Sequence, residues 1–417
     1  MNTVNNLPSF FRELPKDLKI IMARSSIANF VFNLNPYNSI YIIALGASGT
    51  ELGLLTSVSL GLAAISTILT GWISDRVNRK LMFLIGAFIG LLVPLTYILA
   101  KSYLWLIPAF FFAGISDGII QPAWTAMYAN SVKNKQRGAI YGITNLFILT
   151  PVLFAGLIGG RLVSISGGLT IQGIRPVYLL QFALLVMALL IVRIRLSDRI
   201  PAQPKKPLNV KTMLQDYGKV VGRKGVRSWV GMKSLGSLSI GLAGPFWMLY
   251  AAQVHGASAM IIAYMVTLRS LTQIVLSPFS GQLTDSIGRK KMIIGGRVLM
   301  YTSAAIFLLL GENMWLLMLA WVLMGISDAT GIAWQAQEVE LVNSHQRARM
   351  TALSVAAFNL LAVPASILGG WLWDSVGKYA PFLVMVIIDG LIRMPIIYRY
   401  VPESKLLAPE IEEESAI

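Results

Sequence analysis

The chain contains no cysteine. Disulfides, thiolate metal sites and a cysteine nucleophile are therefore excluded. It has only two histidines, His255 and His345. Both fall in loops between apolar segments and suggest no metal or catalytic centre. There is no HExxH, no phosphate-binding glycine loop and no nucleophile elbow. An enzyme, a resident metal and a cofactor are accordingly not expected.

Charge is scarce as well. Of 417 residues, 13% are charged and 55% are hydrophobic, and the mean hydropathy is +0.66. Charged residues make up about a quarter of an ordinary soluble chain. Apolar runs recur from end to end: Leu81–Ala100 is one, and Leu316–Gly325 begins another. A run of about 20 residues crosses a hydrocarbon core of roughly 30 Å. Only helices and closed barrels satisfy their backbone there. These runs are too long, and too rich in Leu, Ile and Ala, for the alternating strands of a barrel. The chain reads as an all-α membrane protein with about twelve spans. They fall at 19–45, 49–74, 81–100, 103–131, 137–164, 173–194, 228–254, 257–284, 291–311, 314–342, 347–376 and 380–400.

Acidic residues are fewer than basic ones, 19 against 35, for a net charge of +16. A nucleic-acid binder gathers its bases on a soluble face. Here they occupy short loops, and alternate loops differ. One set carries Arg76, Arg79, Lys80; Lys133, Lys135, Arg137; Arg289, Lys290, Lys291; and Arg347, Arg349. The other set holds Glu51, Lys101, Glu312 and Lys378, with Arg161 and Arg175 near that face. The basic set should be cytoplasmic, which puts both termini on that side of a cell membrane. Met1–Lys19 lacks the apolar stretch of a signal peptide. The expected organisation is a six-helix bundle over 1–194, a basic cytoplasmic linker over 195–227, a second bundle over 228–400 and an acidic tail over 401–417. The polar stretch Arg193–Arg227 holds ten basic and two acidic residues, which suits contact with anionic lipid head groups.

The two halves repeat. Gly71-Trp-Ile-Ser-Asp75-Arg-Val-Asn-Arg79-Lys80 precedes Gly281-Gln-Leu-Thr-Asp285-Ser-Ile-Gly-Arg289-Lys290 by 210 positions. Gly114-Ile-Ser-Asp117 precedes Gly325-Ile-Ser-Asp328 by 211, and Gln136-Arg137 and Gly159-Gly160 recur at 346 and 369. Duplicated halves imply a pseudo-two-fold axis along the membrane normal, with a site between them.

These residues resemble the major facilitator superfamily over almost the whole chain. The Gly-x-x-x-Asp-Arg-x-Gly-Arg-Lys/Arg loop is that family's signature. It occurs here twice, with Asn78 in place of a glycine and Ser286 in place of an arginine. The resemblance implies a latch closing the inner ends, built from Gly71, Asp75, Arg76 and Arg79 and from Gly281, Asp285 and Arg289. In the family the carboxylate faces the positive N-terminus of the eleventh helix. Glu340 and Arg347 match a Glu-x6-Arg element, and Asn130 and Arg137 stand at that spacing in the first half. The run Ala155–Gly160 partly matches the glycine-rich run of drug/proton antiporters, without its proline.

Charges inside a membrane mark function. Asp117 and Asp328 lie near mid-membrane in matching positions of the fourth and tenth spans, which in the family line the central cavity. A carboxylate that passes between wet and dry surroundings can take up and release a proton, so these two are the candidate proton carriers. Asp117, Gln121, Thr125 and Tyr128 form one stripe, and Asp328, Gln335 and Glu338 another. The first span offers Asn29, Asn33, Tyr37 and Tyr41 at four-residue steps. Asn35-Pro36 breaks it, and Gly244-Pro245 breaks the seventh span ahead of Phe246, Trp247 and Tyr250. Arg24 and Arg269 can grip a substrate anion or neutralise the aspartates. The candidate substrate contacts are Arg24, Asn29, Asn33, Tyr37, Gln121, Trp247, Arg269 and Gln335. A local ion pair is expected between Asp389 and Arg393.

The expected protein is a proton-coupled transporter of a small organic solute, monomeric among membrane lipids. Carboxylates beside aromatics favour efflux of hydrophobic compounds. The arginines leave open a symporter or uniporter for an organic anion or nutrient. The topology is tested directly because the chain has no native thiol. Lys205→Cys and Glu410→Cys should both resist membrane-impermeant maleimides in intact cells, and labelling of either from outside would reverse the orientation.

Overall fold

The computed structural model describes residues 14–73, 78–130, 144, 147–197, 218, 220–222, 225–342 and 347–401, with the side chains of 68, 71–73, 79, 122, 125, 126, 128–130, 339, 347–349, 351, 352 and 356 excepted. Among these residues eleven helices are long and apolar enough to cross a membrane. They are the second to twelfth spans. They begin with Gly49–Ile73, Arg79–Leu99, Ile107–Asn130, Val152–Ile165 and Ile171–Arg195 in the first half. The second half continues with Val226–Ala243 and its extension, Ala259–Ile287, Arg289–Leu310, Met314–Ala329 followed by Gly331–Glu340, Arg347–Ser375 and Ala380–Tyr400.

The first span differs for a local reason. It is two helices, Lys16–Leu34 and Asn38–Ala44. Pro36 has no N–H to continue the ladder, and side chains stitch the gap. Asn35 Oδ1 accepts the Tyr37 N–H at 3.2 Å, and Gln181 Nε2 donates to the Val31 carbonyl at 2.8 Å. The seventh span is broken as its sequence predicts, with a turn of tighter helix over Gly244–Phe246 before Trp247–Gln253.

The duplicated motifs occupy equivalent places. A Cβ on Gly114 would sit 2.4 Å from the Ser59 carbonyl oxygen, and one on Gly325 would sit 2.5 Å from that of Arg269. The glycine of each Gly-Ile-Ser-Asp motif thus lets the fourth span cross the second, and the tenth cross the eighth, with backbones touching. The basic loops match as well. Lys80 Nζ donates to the Leu196 carbonyl at 2.6 Å, and Lys290 Nζ to that of Tyr398 at 2.7 Å. Each lysine caps the negative end of the last span in its half. The departure at Asn78 has a cause: its side chain accepts the Lys80 and Leu81 N–H groups and caps the third span. Gly288, its counterpart, takes φ +99° and ψ 155°, a conformation that L side chains rarely adopt.

The Asp389–Arg393 pair forms, at 2.7 Å, but it is part of a larger cluster. Asp389 is fully buried and also accepts from Arg297 Nε at 2.7 Å, Tyr301 at 2.5 Å and Ser239 at 3.2 Å. The helix is locally widened over Ile388–Arg393, and such bulges re-aim side chains within a helix. Three spans are joined by this one carboxylate. Asp389→Asn should lower stability by about 3–5 kcal/mol, because it strands the buried Arg393 guanidinium and the half-buried one of Arg297. Thermal unfolding in detergent measures it, and an unchanged midpoint would show the cluster to be energetically idle.

Candidate functional site

Between the halves lies a cavity of about 750 Å³. Its wall takes residues from the broken first span, the fourth span, the broken seventh span and the eighth and tenth spans, with others from the third and sixth. Among the described residues four charged side chains face it: Arg24 and Asp117 from the first half, Arg269 and Asp328 from the second.

The two aspartates differ sharply in partnership. Arg269 Nε donates to Asp328 Oδ2 at 2.6 Å, with side chains 37% and 27% exposed. The Arg269 guanidinium also lies 5.4 Å from the Trp321 ring centre. Asp117 is exposed to the cavity and, among the described residues, forms neither hydrogen bond nor ion pair. The opposite charge acting on it is Arg24. That guanidinium is clamped between Phe83 and Trp124, 4.6 and 4.7 Å from their ring centres. Cation–π contact holds it in place without consuming its hydrogen-bond donors.

The proposed substrate contacts divide. Arg24, Asn33 and Arg269 line the cavity. Asn33 donates to the Asn29 carbonyl at 2.9 Å, which leaves its side-chain oxygen available. Tyr37 does not line it: the ring is fully buried and its hydroxyl donates to the Ala259 carbonyl at 2.8 Å, across the two halves. Trp247 packs between Phe307 and Phe382, at 5.0 and 4.7 Å between ring centres. Asn29 turns back onto the Ser25 carbonyl at 2.8 Å. Gln121 and Gln335 are exposed but lie outside the cavity wall. The Thr125 and Tyr128 side chains lie outside the described residues. Glu338 is buried and paired with Lys233.

Residues not proposed from sequence as substrate contacts complete the wall. Asn35, Asn38, Tyr178 and Gln181 form an amide-rich corner at the break of the first span. Tyr178 donates to Asn38 Oδ1 at 2.8 Å. Gln273 lies one turn beyond Arg269 on the eighth span, a signal that was legible in the spacing. Gln181 was detectable as a lone amide in an otherwise apolar run. His255 lies outside the cavity, between the seventh and eighth spans. Burial holds its imidazole below its usual range, and its Nε2 bonds the Phe307 carbonyl at 2.7 Å.

Of the expected latch, Asp75 and Arg76 lie outside the described residues, as do the Arg79 and Arg347 side chains. Gly71 is helical. In the second copy Arg289 binds Glu340 with a two-pronged bond, at 3.0 and 3.1 Å, and reaches Asp285 at 3.2 Å. The signature arginine therefore meets the acid of the Glu-x6-Arg element inside one half. Gly281 is not closely packed: a Cβ there would have its nearest neighbour 3.9 Å away, on Ile332.

A helical membrane protein with a cavity between two repeated halves has the plan of a secondary transporter. The sequence matches the Major Facilitator Superfamily profile over residues 20–234 and 231–416, and the chain belongs to that family. It is similar to the multidrug resistance protein MdtG of Dickeya zeae, 24% identical over 84% of this chain and 85% of that protein. It is also similar to the inner membrane transport protein YajR of Escherichia coli, 27% identical over 42% of this chain and 38% of the relative. Among solved structures, the nucleoside transporter NupG superposes with a TM-score of 0.74 at 13% identity, covering 91% of this chain and 99% of that one. A D-xylose–proton symporter gives 0.70 at 15%, covering 93% and 99%.

The cavity wall separates the candidates by experiment. Arg269→Ala and Asn33→Ala should each weaken substrate affinity at least fivefold, because they remove a polar group from the wall. Asn29→Ala and Gln335→Ala should leave it within twofold. Binding titrations on purified protein decide this, and an inverted order would relocate the site.

Proposed function

We propose that the chain exports hydrophobic compounds, cations among them, by proton-coupled alternating access, with Asp117 as the group that exchanges proton for substrate. One observation carries this reading: of the two repeated aspartates, Asp117 faces the cavity with no hydrogen bond or ion pair among the described residues, while Asp328 is held by Arg269. An unpaired carboxylate in a cavity can be neutralised by a proton or by a cationic substrate, and the two compete. Aromatic and apolar side chains such as Phe83, Phe110 and Trp321 form much of the wall, which suits a lipophilic solute. The multidrug resistance relatives support efflux.

On this reading Asp328 and Arg269 form a pair that stays closed until substrate or a second proton intervenes. The loop charges orient the protein with both termini in the cytoplasm of a cell membrane. The segments 1–194 and 228–400 are the two rocking units, joined by the basic linker 195–227 and followed by the acidic tail 401–417. The latch residues Asp75, Arg76, Arg79, Asp285, Arg289, Glu340 and Arg347 act at the cytoplasmic ends, and the conformation described is one sealed on the opposite side.

A second reading, transport of an organic anion, rests on Arg24 and Arg269, whose guanidinium groups face the same cavity. Two variants separate these readings. Asp117→Asn should abolish substrate movement driven by a pH gradient in proteoliposomes and leave exchange without a gradient within threefold of the parent. Substrate-linked proton flux that persists in Asp117→Asn, read with a pH-sensitive dye, would remove Asp117 from the mechanism. Loss of all binding in Arg24→Gln, with coupling retained in Asp117→Asn, would favour the anion.

A further inference from the structure

The second span starts, and the eleventh span ends, at the charge-poor face of the molecule. We infer that Asp374, one residue from the end of the eleventh span, is a gating residue that holds the two halves together at this face.

The donors are accounted for one by one. The first N–H groups of a helix have no partner inside it. At the start of the second span, Ser48 and Glu51 form a reciprocal cap. Ser48 N–H donates to Glu51 Oε2 at 2.7 Å, and Glu51 N–H to Ser48 Oγ at 3.2 Å. This local cap leaves the Gly49 and Thr50 N–H groups unserved. Both are taken up by the other half: Gly49 N–H donates to Asp374 Oδ1 at 2.9 Å and Thr50 N–H to Oδ2 at 2.7 Å. The Thr50 hydroxyl adds a third bond to Oδ2 at 2.7 Å. Asp374 thus places a full negative charge on the positive end of the second span, and each of its oxygens is used.

The contact continues inward as a seam. A Cβ on Gly370 would lie 2.3 Å from the Gly49 carbonyl oxygen, and one on Gly53 would lie 2.2 Å from that of Ser366. One turn further, the Ser57 hydroxyl donates to the Val363 carbonyl at 2.6 Å. Trp373 folds over the top, stacked on Phe246 of the seventh span at 4.9 Å. The glycines let the backbones meet but supply no polar attraction of their own. The charge-assisted bonds of Asp374 supply it, and they are lost when this face opens. No neutral side chain of the same shape replaces them: an asparagine would turn an NH2 donor toward one of the two N–H groups.

This inference rests on the two halves moving apart during transport, and not on which ion or substrate is carried. Its test therefore reads only the separation of the halves. In the cysteine-free chain, spin labels go on Lys101→Cys and Lys378→Cys, which are exposed loop positions of the two halves at this face. Distances are measured by pulsed electron resonance without substrate or gradient. Asp374→Asn and Asp374→Ala should shift the ratio of long to short separations by about tenfold, the effect of losing charge-assisted bonds. Thr50→Val removes one bond of three and should shift it by about threefold. If Asp374→Ala does not yield monodisperse protein, the other two variants carry the test. Distributions for Asp374→Asn and Thr50→Val that superimpose on the parent would overturn the inference, whatever the outcome of the coupling experiments.

Discussion

A carboxylate within a hydrocarbon slab has to be paired, protonated or given water. The disposition of acids in this chain follows from that constraint. Asp389 is paired twice and buried. Glu338 is buried against Lys233. Asp328 is held by Arg269 at the cavity wall. Asp117 alone among these four has no hydrogen bond or ion pair among the described residues, and it is the one turned to the cavity, where water can reach it. The cavity therefore has a chemical polarity: one half presents an unsatisfied acid, and the other a satisfied pair.

The repeat explains the scaffold but not this asymmetry. The helix-crossing glycines Gly114 and Gly325 and the capping lysines Lys80 and Lys290 stand at matching positions and make matching contacts. The arginines do not match. Arg269 corresponds to Ser59 at an offset of 210, and Arg24 to Ser234. Two halves with one backbone plan thus place different charges around the cavity.

Much of this was legible in the sequence, and the reasons for the rest are specific. The breaks at Asn35-Pro36 and Gly244-Pro245 were readable because proline removes a backbone donor wherever it stands. The spans from the second to the twelfth were readable because apolar length is a one-dimensional property. The role of Tyr37 was not, because a four-residue step fixes a shared helix face and not the neighbour that face meets. Tyr37 faces the eighth span and not the cavity. Trp247 was ambiguous for the same reason. The Arg269–Asp328 contact joins residues 59 positions apart, a pairing that no local pattern specifies. Asp374 escaped notice because a lone acid at a span end reads as an ordinary loop charge until the facing helix is known.

The glycine contacts between the halves also have a mechanical meaning. At Gly53 and Gly370 the opposing surface is bare backbone, with no flexible side chain between the two helices to act as a lubricant. A shift along the seam would drive a Cα-bearing ridge into the next carbonyl, so the joint resists shear. Separation and rotation about the line of contact meet no such obstacle. The close backbone contact thus opposes sliding along the seam while leaving the two helices free to part.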